Sequence, residues 1–328
     1  MKSLKAVAVV AMLVAIAIGL FLFWRHEERY PSTKDAYVGA NIINVAAQVT
    51  GQVAEVSVIE NQKVKTGDLL FTIDETQFRA SVDQAKADLD SAEQQAKSFA
   101  TQLPSAEAEV DSAQSAFDTA QNNLERAKAL FSTGDIAQAS LDQTTSAFAQ
   151  ASARLTTSKS SLLALESGLA AKQDDILSSQ AQLEIAQADL AWTKVYAAAD
   201  GWVANLTLRP GSSVSANSPQ FSIVESSDWW VDANFKETSL PRIRPGQPVK
   251  IEIDMLPGIQ LTGTVASIGR GSGDTFSLLP SENSSGNWVK VTQRFPVRVE
   301  LDPTDAPLRV GGSSKVTVDT TVTPKASQ

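Results

Sequence analysis

Two stretches of 24 residues, far apart in the chain, are variants of one another. GQVAEVSVIENQKVKTGDLLFTID from Gly51 and GWVANLTLRPGSSVSANSPQFSIV from Gly201 align without a gap at an offset of 150 residues. Gly51 matches Gly201, Val53 Val203, Ala54 Ala204, Val58 Leu208, Val64 Val214, Phe71 Phe221 and Ile73 Ile223. Both copies alternate apolar and polar residues between turn-forming clusters, the pattern of short, half-buried strands. Neither copy has enough strands to cover its own apolar face, so the two must close on each other as one small β-sandwich. Whatever lies between them therefore leaves that sandwich and returns to it.

The segment between is helical and holds one heptad register along its outward arm. The a positions are Val82, Leu89, Ala96, Leu103, Val110, Phe117, Leu124 and Phe131, and the d positions are Ala85, Ala92, Phe99, Ala106, Ala113, Ala120 and Ala127. The returning arm places Leu141, Phe148, Leu155, Leu162, Leu169, Ile176, Leu183 and Leu190 at a, with mostly small or polar residues at d. A period of 3.5 residues sustained this long specifies a coiled coil. Ser132-Thr133-Gly134-Asp135 can only reverse the chain between two arms of similar length, so the arms form an antiparallel hairpin. Each arm, of roughly 55 residues, should reach about 80 Å. Gly134 suits a left-handed helix terminus, and Asp135 with Gln138, like Asp74 with Gln77, has capping-box spacing. Pro104 is expected to kink the outward arm without dividing it, because the heptad register runs through it.

At the N-terminus, Ala6 to Trp24 is an uninterrupted apolar run about 28 Å long as a helix, enough to span a bilayer. It ends in Phe21, Phe23 and Trp24 and is followed by Arg25-His26-Glu27-Glu28-Arg29 rather than a small-residue cleavage site, which favours an uncleaved anchor over a signal peptide. Lys2 and Lys5 put residue 1 in the cytoplasm and everything after about residue 30 on the other side of the membrane. Beyond Glu225, short strands are expected at Trp229 to Phe235, Val249 to Asp254, Gly263 to Ile268, Trp288 to Thr292 and Phe295 to Leu301, with a helical turn over Thr238 to Ile243. These make a small antiparallel barrel. The fold class is α+β: a transmembrane helix, a split sandwich interrupted by the hairpin, then the barrel. The expected divisions are an anchor at 1–30, first strands and half-sandwich at 31–74, hairpin at 75–192, second half-sandwich at 193–226, barrel at 227–319 and a tail at 320–328.

The chemistry these residues allow is narrow. There is no cysteine, which removes thiolate metal sites, disulfides and cysteine nucleophiles. The one histidine, His26, sits beside the anchor. No metalloprotease, P-loop or dinucleotide motif occurs, so neither an enzyme nor a cofactor is expected. The hairpin segment Glu75 to Trp192 holds 8 basic and 17 acidic residues and so accounts for the whole net charge of −9. An acidic surface of this kind repels phosphates and excludes a nucleic-acid partner. Trp229-Trp230 is read as barrel packing rather than a ligand cage.

Four stretches, Asp35 to Val38, Gly51 to Asp74, Ala199 to Gly211 and Asn287 to Arg298, resemble the HlyD/EmrA-type membrane fusion proteins, the periplasmic adaptors of tripartite efflux pumps. The resemblance implies a lipoyl-like domain from the two half-repeats and a homo-oligomer, hexameric or trimeric, around a transport path. Its partners would be an inner-membrane transporter of the major facilitator multidrug type and a TolC-type outer-membrane channel. Adaptors for aromatic-acid exporters or for ABC type I secretion would share these features, and a structural envelope tether is the reading of another class. In such adaptors the hairpin tip carries an RxxxLxxxxxxS pattern that meets the duct. Arg126 and Leu130 match it, Gly134 lies within it, and Ala137 stands where the serine would be. The lysine of a lipoyl carrier has no counterpart, because the hairpin occupies its place and Lys63 and Lys65 lie inside the first half.

Overall fold

The computed structural model describes residue 25, residues 27–273 and residues 292–322. The apolar run Ala6 to Trp24, His26 and all but the last residue of the expected strand Trp288 to Thr292 lie outside them. Among the described residues no helix is long and apolar enough to cross a membrane.

The two half-repeats close on each other. The first half supplies β2 (Gly51–Val56), β3 (Lys63–Val64) and β4 (Leu69–Ile73), and the second supplies β6 (Gly201–Ala204), β7 (Ser213–Val214) and the start of β8 (Pro219–Lys236). Pairing is exchanged between halves: Gly51 faces Val214 in β2–β7, and Val64 faces Gly201 in β3–β6. The same pseudo-twofold governs the loops, where Asn61 N–H donates to Val203 O at 2.9 Å and Gly211 N–H donates to Val53 O at 2.8 Å. Residues 61 and 211 are equivalent, as are 67 and 217. Each pair needs positive φ, and each meets it with one asparagine and one glycine: Asn61 at 63°, Gly211 at 87°, Gly67 at 89° and Asn217 at 60°. Inside, Val53, Val64, Phe71, Ile73 and their partners Val203, Val214, Phe221 and Ile223 are all at most 2% exposed. Phe71 and Phe221 meet edge to face at 6.1 Å between ring centres.

The barrel has six strands in the closed order β1-β12-β9-β10-β11-β8, with β8 returning to β1. β9 (Pro248–Ile253), β10 (Gln260–Ile268) and β11 (Arg294–Leu301) stand where strands were expected, and a 3-10 turn covers Glu237–Arg242. Two barrel strands were not anticipated as such. β12 (Ser313–Val318) belongs to the C-terminal end, and β1 (Ser32–Ala46) comes from before the hairpin, its inward residues being the small side chains of Thr33, Ala36, Val38 and Ala40.

β1 and β8 are long enough to serve both bodies. They pair from Ala36 with Ala233 in the barrel to Ala46 with Pro219 in the sandwich. Their register shifts at the junction, where Ala40 faces Trp229 but Ile42 faces Val224, a bulge that bends the ribbon. Trp229 packs against the barrel core and lies 6.4 Å from Trp202, over which Lys63 stands at 5.5 Å. Trp230 covers Gly39, donates from Nε1 to Asp232 at 2.8 Å and stacks beneath Arg298 at 4.6 Å. Both tryptophans are packing residues, as the sequence reading had them.

Helices α1 (Thr76–Ala100) and α2 (Leu103–Thr133) form the outward arm, and α3 (Gln138–Ala191) returns alone over 54 residues. Every a and d position named above is buried or half-buried except Phe131. The arms run antiparallel, as contacts across them demonstrate: Phe99 lies against Gly168, Arg154 Nη2 meets Glu109 at 2.9 Å, and Phe117 faces Phe148 at 5.3 Å. Pro104 divides the arm into two helices where a kink alone was expected. Having no N–H, it sits in the first turn of α2, where that group would be unpaired anyway. Thr101 and Gln102 nevertheless keep right-handed helical angles, so the arm continues without folding back.

The root of the hairpin is tied by charge. Glu75 accepts a 2.9 Å bond from Arg79 Nε and lies 3.3 Å from Lys194 Nζ, joining the start of α1 to β5 (Lys194–Tyr196). The Arg79 bond, then Lys194, holds the Glu75 carboxyl below its ordinary range. A depressed carboxylate stabilises the fold above its unfolded pKa, and the contribution is lost as pH falls through the lower folded value. Melting of the native protein and of Glu75→Gln is therefore expected to differ most above about pH 5, with the difference shrinking as the pH falls. A difference that stays constant with pH would show that the charge is not what matters. The expected box of Asp74 and Gln77 does not form; Asp74 Oδ1 instead accepts from the Thr76 amide at 2.9 Å and from its hydroxyl at 2.6 Å.

Candidate functional site: the hairpin tip

The reversal is built by Gly134 at φ 80°, in the left-handed region. Its N–H donates to Phe131 O at 3.1 Å, and the Asp135 N–H donates to Leu130 O at 3.0 Å, a bond pair that closes α2. The hydroxyls of Ser132 and Thr133 donate to Ala129 O at 2.6 Å and Leu130 O at 2.9 Å. The carbonyls of Ala129, Leu130 and Phe131 are thus satisfied locally. Ala137 is extended, at φ −74° and ψ 151°, and starts α3 with no side-chain cap. The expected capping box fails here too: Asp135 accepts from the Thr133 hydroxyl, and Gln138 Nε2 reaches forward to Asp142 at 2.8 Å.

Arg126 and Leu130 lie four residues apart, on one face of the last turns of α2. Leu130 is 47% exposed. Arg126 is exposed and donates to Asn123 Oδ1 at 2.5 Å, with no carboxylate partner among the described residues. Gly134 and Ala137 sit in the reversal itself, Ala137 exposed. The structure therefore gathers all four residues at one end of the hairpin.

Phe131 is the tip residue that sequence reasoning missed. As the last a position it was read as seam, yet it is 40% exposed. The signal was available, because the partner helix begins only at Gln138 and leaves nothing opposite the final heptad step. The tip is thus a small apolar surface, Leu130 with Phe131, beside the Arg126 guanidinium. Such a surface can bind by burial and by a charge-assisted hydrogen bond. Among the described residues no cluster of three or more metal-ligating side chains occurs.

Comparisons with known proteins agree with this architecture. Residues 41–226 match the family model of the barrel-sandwich hybrid domain of RND membrane fusion proteins, and residues 228–321 match that of the AAEA-like beta-barrel domain. The multidrug export protein EmrA of Haemophilus influenzae is 35% identical over 326 residues, covering 97% of this chain and 83% of that one. EmrA of Escherichia coli is 34% identical over 316 residues, covering 94% and 80%. The fatty acid resistance protein FarA of Neisseria gonorrhoeae is 36% identical over 298 residues, covering 88% and 75%. Among solved structures, MacA of Actinobacillus actinomycetemcomitans shares the fold, with a TM-score of 0.55 at 20% identity over 88% of this chain and 79% of that one. A sandwich closed from two halves around a helical hairpin, followed by a barrel of this type, places the chain in the membrane fusion protein family.

Proposed function

We propose that this chain is a periplasmic adaptor for drug efflux, anchored by its N-terminal apolar run. It would link an inner-membrane transporter of the major facilitator multidrug type to a TolC-type outer-membrane duct. The observation that carries this reading is the hairpin: a returning helix of 54 residues, about 81 Å long, ending in an exposed apolar tip. A compact binding module has no use for such reach. Relatives whose names denote multidrug export support the same reading.

The mechanism is passive. Several copies, six or three, stand around an axis with the barrel next to the transporter and the hairpins directed outward. Leu130 and Phe131 lose exposed apolar area against the duct, while Arg126 meets an acceptor there. The four tip residues Arg126, Leu130, Gly134 and Ala137 form the proposed contact, and the alanine at 137 leaves the arginine and the apolar pair as its main contributors. The energy for export comes from the transporter.

Arg126→Asp combined with Leu130→Ser is expected to lower drug resistance at least tenfold in a strain without redundant adaptors, since it removes a cation and an apolar anchor from one contact. Membrane insertion and co-purification with the transporter are expected to stay as in the native protein. Full resistance in the double variant would rule out docking through the tip.

A further inference from the structure

We propose that the barrel end beside the N-terminal run carries a cleft for the headgroup of an anionic phospholipid, made by Lys34, Lys236 and Arg294 with the hydroxyls of Thr238 and Ser239. The inference rests on the reading of Ala6 to Trp24 as a membrane anchor.

These residues come from four places in the chain: the start of β1, the end of β8, the 3-10 turn and the start of β11. They line a cleft of about 650 Å3. Two acids face it. Glu27 stands on its wall, and Asp35 is occupied, its Oδ2 lying 3.3 Å from Arg294 Nη1 and its Oδ1 accepting from Asn234 at 3.2 Å. Arg294 also donates to Asn234 O at 3.1 Å. Lys34 and Lys236 are exposed and have no side-chain partner among the described residues. Two free ammonium groups and two hydroxyls around an open cleft suit a phosphodiester with a small polar head.

Placement identifies the anion as part of a lipid surface. Glu27 lines the cleft, and it follows the end of the apolar run by only three residues, at most about 10 Å of extended chain. The headgroup layer on each side of a bilayer is about 5 to 8 Å thick. The lead-in cannot swing the barrel away, because it is bonded to the barrel's last strand. Arg29 O accepts from the Thr320 amide at 3.2 Å and hydroxyl at 2.8 Å, and Pro31 O accepts from Val318 N–H at 3.0 Å. Arg242 holds the same lead-in through Glu28, donating from Nη1 to its carbonyl at 2.8 Å. The cleft is therefore held at headgroup depth, where each unpaired lysine gains attraction that falls off within a Debye length.

The test is native mass spectrometry of the full-length chain in neutral detergent, with equal amounts of phosphatidylglycerol and phosphatidylcholine. The expected result is preferential retention of phosphatidylglycerol, weakened at least tenfold in Lys34→Gln/Lys236→Gln, which removes two charge-assisted contacts to the phosphate. It should be unchanged in the hairpin control Lys86→Gln/Lys97→Gln. Equal retention of the two lipids, or a preference untouched by the double substitution, overturns the proposal. So does full competition by free glycerol 3-phosphate, which would make the cleft a soluble-anion site. Displacement of the lipid by an equal concentration of an acidic peptide would reassign the rim to a protein partner and overturn it as well. Alkaline extraction of native membranes separates this outcome from failure of the anchor: a chain that stays in the membrane but lacks lipid preference refutes the cleft alone, whereas a chain that washes out refutes the anchor beneath it.

Discussion

Phe71→Ala is expected to remove about 3 to 5 kcal/mol of folding stability, with the damage centred on the sandwich. Phe71 is fully buried, in the strand that runs into the hairpin, and packs on Phe221 from the other half-repeat. Truncation leaves a cavity that the two sheets cannot collapse to fill, because the exchanged pairings β2–β7 and β3–β6 hold them on both sides. Urea titration followed by tryptophan fluorescence measures the loss, and hydrogen exchange locates it. Amides of β2 and β4 should lose protection before those of β9 and β10. A loss below about 1 kcal/mol would mean that the halves do not share one core. Phe221→Ala should act similarly, and the double variant should lose less than the two single losses combined, by the roughly 0.5 to 1.5 kcal/mol of the ring contact.

Gly201→Val is expected to be comparably severe, on the order of 3 kcal/mol or more, and worse than the equivalent change at Gly51. A Cβ at Gly201 would stand 2.2 Å from Val224 O and 2.8 Å from Ile223 Cγ2, so the obstacle is the backbone of a paired strand. A Cβ at Gly51 meets only Ile73 Cγ2, at 2.5 Å, a buried side-chain methyl rather than the backbone of a paired strand. The asymmetry has a definite cause. Gly201 pairs with Glu225, where β8 runs on into the barrel, whereas the equivalent of Glu225 is Glu75, where the strand has ended and the chain turns into α1. Comparing the two denaturation midpoints tests this directly. Equal losses would mean that the glycines are retained for backbone freedom rather than for the close approach of β8.

The split sandwich was legible because residues 150 apart repeat one another, and every matched apolar pair except Ala54 with Ala204 lies in the core. The heptads were legible for the same reason: a long period leaves a signal stronger than any single residue. What escaped had short or local causes. β1 carries small inward residues such as Ala36 and Ala40, so its alternation is faint and its share in the barrel invisible. The capping boxes failed because Asp74 and Asp135 found nearer hydroxyl partners in Thr76 and Thr133. Pro104 broke the helix where the heptad count ran on, since register records which face is covered and not whether each N–H is bonded. At the tip, Gly134 was placed by the chain-reversing linker, Arg126, Leu130 and Ala137 were picked out by resemblance alone, and Phe131 was hidden by a heptad that outlasts its partner helix.

A body attached by one strand can spin about it like a bead on a wire. The sandwich is attached to the barrel by β1 and β8 side by side, about 4.8 Å apart, and turning one body about the pair would tear the ladder on either side of the bulge. The join can flex across its width but cannot swivel. The compass bearing of the helices is therefore set where the chain meets the barrel, so whichever flank of the pillar faces inward at its base faces inward along its length.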